Sequence, residues 1–157
     1  MKEELGRALG RIASGVYVVT VDSDTGPLGM LATFVAQVAF EPPVLTVAVA
    51  AQRPILNELE GKMITINVLS KTNMDIFKAF ARPAKDPIDD RFAGLSTIEN
   101  EHGSVAFADV VSVLNCEVKQ LIPAGDHVVA LCEAVSGRGI NIESEPMIHL
   151  RKNGFSY

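Results

Sequence analysis

Cysteine is scarce in this chain, and no apolar run approaches the roughly 20 residues that a membrane-spanning helix needs. Two cysteines, Cys116 and Cys132, are too few for the disulfide framework of a small secreted domain. Both stand among valines and leucines, as small buried hydrophobes do in a reducing cytoplasm. Their similar distances from a predicted hairpin turn leave a cross-strand pair open. Residues 1–11 are charged and lack the apolar segment of a secretion signal, so the expected location is cytoplasmic. Positive charge is short as well: 14 Lys and Arg stand against 19 Asp and Glu, for a net charge of -5. An acidic surface repels nucleic-acid phosphates and anionic lipid, which sets both aside as partners.

Familiar catalytic signatures are missing too. There is no G-x-S-x-G, P-loop, H-E-x-x-H or C-x-x-C. No G-x-G-x-x-G joins a strand to a helix and no βαβ alternation is visible, which argues against the classical dinucleotide-binding fold. His102, His127 and His149 lie far apart, without neighbours at metal-ligand spacing. No acidic pair stands in an apolar setting. Chemistry performed here therefore calls for an organic cofactor.

What remains is the pattern of a single domain over 1–157, long enough to bury a core. Leu5, Leu9 and Ile12 recur at helical spacing and predict an amphipathic helix ending near Gly15. From residue 16 the periodicity switches. Strands are predicted at 16–21 and 30–38, at 44–50 with both faces buried, and at 63–69. Pro54 and Gly61 bracket a short helix, and Thr72 with Asp75 resembles a capping box opening a helix that carries Ile76, Phe77 and Phe80. The polar, proline-broken stretch 82–90 reads as a surface loop of the kind that sometimes forms lids. Further strands are predicted at 105–107, 110–120, 127–137 and 146–151, with 122–126 as a hairpin loop. Short strands in this number, with short turns and brief helices, argue for an antiparallel barrel.

One run is specific. Beginning at Gly29, GMLATFVAQVAFEPPVLTVAVA resembles the signature of the flavin reductase-like family. Other segments follow in that family's order: Gly15-Val-Tyr-Val-Val-Thr20, Asn67-Val-Leu69, Asp90-Arg-Phe-Ala-Gly94 and Gly125-Asp-His127. The similarity covers roughly residues 9–150 and is nearest in character to the flavin reductase-like domains attached to flavodiiron oxygen reductases. It implies a mainly β fold, the antiparallel Greek-key FMN-binding split barrel with a few short helices. It also implies a homodimer with each flavin near the subunit interface. FMN is the implied cofactor, with FAD as the alternative, and NADH or NADPH is the co-substrate. Hydride would pass to flavin N5, and the electrons onward to an oxygenase, another acceptor or a redox partner domain.

The resemblance also assigns site residues. Met30, Leu31, Ala32 and Thr33 would offer backbone N–H groups and one hydroxyl to the flavin ring. Gln37, on the side of Thr33 by two-residue alternation, either reads the flavin or faces solvent. Ala48, Val49 and Ala50 end the third strand. Arg53, just before Pro54, suits a phosphate, although the family often places serine or threonine near here. Asn67, followed by Val68 and Leu69, either bonds the flavin or ties neighbouring strands. His127 is the catalytic candidate, set by the family beside the nicotinamide. His102 and His149 read as structural or surface residues, and Phe92 and 155–157 as a cover for the flavin or the partner subunit. The leading reading is an NAD(P)H-dependent flavin reductase. The alternative is a non-catalytic, flavoredoxin-like FMN carrier. A relative of the pyridoxamine phosphate oxidases comes third, because the basic cluster that would bind their substrate is not evident.

Overall fold

β-Branched runs punctuated by Gly, Pro and Asp give strands and tight turns along nearly the whole chain. The computed structural model describes residues 1–82 and 90–157. Most of the loop expected at 82–90 thus lies outside the described residues. The elements are α1 (Lys2–Gly10), β1 (Ser14–Gly15), β2 (Tyr17–Ser23), β3 (Gly26–Ala32), β4 (Val35–Phe40) and β5 (Pro43–Ala50). A 3₁₀ turn (Pro54–Glu58), β6 (Met63–Val68) and α2 (Met74–Ala81) follow. The chain continues through β7 (Thr97–Ile98), β8 (Ala106–Phe107), β9 (Ser112–Ala124), β10 (His127–Gly139) and β11 (Ile148–His149).

Seven strands form one antiparallel sheet in the order β3-β2-β6-β9-β10-β5-β4. Alternate residues of six of them meet in one core: Val19 and Val21, Met30 and Ala32, Val47 and Val49, Ile64 and Ile66, Cys116, and Cys132. Strands near opposite edges of the order share that core, so the sheet is curled into a barrel. This is the antiparallel split-barrel architecture that the sequence resemblance implied.

Residues on the outer face of β2 and β6 are buried as well, under α2 and the segment that carries β8. Val18, Leu69, Ile76, Phe80, Phe107 and Val110 form this second core. Asn67 fastens the cover to the barrel. Its Nδ2 donates to the carbonyls of Val18 (3.2 Å) and Val105 (3.1 Å), and its Oδ1 accepts from the Phe107 amide (2.9 Å). The buried amide is satisfied by backbone, so of the two readings the structural one holds.

Several sequence expectations shift in detail. The strand expected at 30–38 is broken at Thr33 and Phe34, giving β3 and β4. One face of β5 is buried and the other only half so, rather than both. The capping box does not form: Asn73 is the N-cap of α2, and its Oδ1 accepts from the Ser70 amide and hydroxyl instead. The loop between β9 and β10 shrinks to two residues, with Gly125 at φ 64°. The helix α1 ends at Gly10 and buries Gly6 and Gly10, while Leu5 and Ile12 stay exposed. Those glycines receive the C-terminal strap: the Arg151 amide donates to Gly10 O (3.2 Å) and the Gly154 amide to Gly6 O (2.6 Å). The helical spacing was right and the buried face was not.

Candidate functional site

A cleft of about 260 Å³ opens at the rim of the barrel. Its floor comes from Met30, Leu31, Ala32 and Thr33 at the end of β3 and from Ala48 and Ala50 of β5. β3 is an edge strand, so one side of its backbone carries no strand partner. Three alanines keep the floor low, and a flat group can approach that backbone. Phe77, Phe80 and Ala81 of α2 complete the lining together with Arg53, His149 and Tyr157.

Thr33 marks the polar point of this surface. It is 8% exposed, and its Oγ1 is the one buried side-chain polar atom without a hydrogen-bond partner among the described residues. Leaving such a hydroxyl unpaired costs about 1–3 kcal/mol, which a group that bonds it would recover. The Arg53 guanidinium makes no ion pair among the described residues, so its charge is available to an anion. The helix expected after it is a single 3₁₀ turn, which leaves the cation rather than helix amides to carry that affinity.

His127 stands behind the cleft rather than in it. The two-residue turn sets it opposite Ala50, and its side chain is mostly buried. Nδ1 bonds Asp126 Oδ1 at 2.7 Å, and Nε2 bonds the Tyr157 hydroxyl at 2.6 Å. Phe34 packs against both rings, at 5.8 Å from His127 and 5.7 Å from Tyr157, and the Arg151 guanidinium lies over Phe34 at 4.9 Å. Partial burial raises the Tyr157 phenol above its ordinary pKa, against the opposing pull of Arg53 and Arg151. The hydrogen bond from His127 lowers the Asp126 carboxyl.

The structure thus brings Met30, Leu31, Ala32, Thr33, Ala48, Ala50 and Arg53 together as the sequence suggested. Other candidates lie elsewhere. Val49 points into the barrel core, and Asn67 and Leu69 belong to the outer one, with Val68 between them off the cleft. Gln37 is exposed and donates to Ala39 O at 3.1 Å, because the break after Thr33 resets the alternation that was to align them. Phe92 packs on Phe80 and Phe107 rather than on the cleft. Sequence reasoning missed His149, which reaches the cleft through the pairing of β11 with β1. It also read Phe77 and Phe80 as core alone; nothing in a helical apolar stripe says that one edge of it faces a ligand.

The model of the flavin reductase like domain matches residues 9–156. The chain belongs to that family. Its sequence relatives include Diflavin flavoprotein A 1 of Synechocystis, 33% identical over 158 residues, which cover 100% of this chain and 28% of that protein. The chain spans little more than a quarter of the length of such curated relatives. Among solved structures, the NADH:FAD oxidoreductase SgcE6 of Streptomyces globisporus C-1027 superposes with a TM-score of 0.80 at 26% identity, over 92% of this chain and 80% of that one. The same oxidoreductase in complex with NAD and FAD fragments gives 0.81 at 25% identity, over 91% of this chain and 84% of that one. The family is flavin-binding, and its reductases are oxidoreductases.

Proposed function

We propose that this chain binds FMN in the rim cleft, takes hydride onto it from NADH or NADPH, and passes the electrons to a further acceptor. The observation that carries the reading is the unpaired, buried hydroxyl of Thr33 above a floor of small residues. A flat ring with polar edges would satisfy the hydroxyl and lie on that floor. FMN, when bound, would supply the hydride-accepting centre that the side chains lack.

The chain's own residues would bind and orient. Thr33 and the free edge of β3 hold polar ring atoms, and Phe77 and Phe80 exclude water from one side. Arg53 neutralises a phosphate. The relative seen with FAD fragments supports FAD as the alternative to FMN. We further propose a homodimer formed through β4, an edge strand on which Val38 and Phe40 are 56% and 87% exposed. Free, buried thiols at Cys116 and Cys132 support a cytoplasmic location.

The carrier reading draws on one specific feature: both ring nitrogens of His127 are already engaged. The test is the visible spectrum of the protein under argon, first with FMN and then with NADH. A bound flavin spectrum that NADH bleaches faster than it bleaches free FMN is expected. Bound flavin that resists NADH would favour the carrier, and no flavin binding would refute both.

A further inference from the structure

We propose that Tyr157 is the group this corner presents to a ligand, and that His127 is a positioning residue acting through it. The inference rests on the flavin-reductase reading and departs from the expectation that His127 itself meets the nicotinamide.

The argument is one of occupied valences. An imidazole has two ring nitrogens, and here Asp126 takes one and Tyr157 the other, at 2.7 and 2.6 Å. Phe34 packs against the ring, and the side chain is only 18% exposed. His127 therefore has no free polar atom to offer and does not line the cleft, whereas Tyr157 does.

The chain of bonds has a direction. The Asp126 carboxylate can only accept, so of the two imidazole tautomers it selects the one with the proton on Nδ1. Nε2 is then a lone pair and accepts the Tyr157 O–H. With its proton committed to His127, the oxygen of this cleft-lining tyrosine keeps only its acceptor capacity. It suits an N–H or O–H donor on the ligand, and among the proposed ligands the nicotinamide carboxamide and the flavin ribityl hydroxyls carry such groups. Phe34 packs against the Tyr157 ring, and the Arg151 guanidinium lies over Phe34 in turn.

The experiment is a double-mutant cycle on the full chain, reading the FMN Kd from flavin fluorescence and the NADH KM under argon. Y157F keeps the ring and removes the hydroxyl; H127L removes the acceptor behind it; H127Q restores an acceptor of similar reach. Each of Y157F and H127L is expected to raise the FMN Kd or the NADH KM about tenfold, the scale of one hydrogen bond. The double variant should be no worse than Y157F within about twofold, and H127Q should recover most of the loss. In ¹⁵N-histidine-labelled protein without flavin, Y157F should shift the His127 ring resonances, which reports the bond independently of turnover. Additive losses in the double variant, or single variants that leave both constants unchanged, would overturn the proposal. Failure of the unaltered chain to bind FMN would instead remove the functional reading, and this inference with it.

Discussion

Thr33 carries a hydroxyl that the fold does not use, so stability and binding separate there. Thr33→Val removes the oxygen and keeps the shape. The thermal midpoint should hold or rise, because no native hydrogen bond is lost, while the FMN Kd rises about tenfold. A lower midpoint with unchanged affinity would mean that the hydroxyl has a structural partner after all. The thiols make a second residue-scale case. Burial pushes Cys116 and Cys132 up from 9.0 to about 12, with the neighbouring thiol adding to the shift at Cys132. A raised folded pKa favours the folded state below the unfolded value and loses that advantage above it. Stability should therefore be level with respect to these groups below about pH 9 and decline from there toward 12, as denaturant titrations at stepped pH would show. Thiol reagents at neutral pH should modify neither cysteine until the chain unfolds.

Elements were more legible than the faces they bury. Strands announced themselves because alternation and β-branched runs are local properties, and the barrel followed from their number and their turns. The buried face of α1 was not legible. Its apolar residues pointed to one side, but the decisive contact is the close approach of Arg151 and Gly154 to Gly10 and Gly6, from the far end of the sequence. The cleft was half legible for the same reason. Its floor lies in one contiguous run and in the strand paired to it through β4, whereas its walls come from α2, β11 and Tyr157, which only the fold collects. Asn67 was visible as a buried amide, but its partners on β2 and around β8 were not. Asn67→Ala should cost about 2–4 kcal/mol in denaturant unfolding, since it leaves backbone groups of the outer cover unpaired. The FMN Kd, measured well below the melting temperature, should change less than about threefold. A larger effect would place Asn67 in functional contact with the cleft.

For the whole molecule, the proposed dimer rests on the exposed apolar residues of β4. Phe40→Asp should convert a dimer into a monomer by light scattering at micromolar concentration. If each flavin lies near that interface, the same variant should also weaken FMN binding. A dimer that survives the substitution would place the interface on another face. The strap that joins both ends of the described fold bears on the cleft in a different way. Tyr157 reaches the cleft at the end of a strap whose residues 151–154 sit against α1, and Arg151 bonds Leu9 across 142 positions of sequence. A junction resting on a few backbone bonds at the periphery opens well before a seven-stranded sheet does. The protein would then fluctuate between a complete and an incomplete corner, and its apparent affinity would be the intrinsic one scaled by the closed fraction. A methyl group added at Gly10 would meet Arg151 O at 2.7 Å and shift that equilibrium without touching the cleft. Ligand affinity would in this way be set partly by the clearance between a helix and a strap.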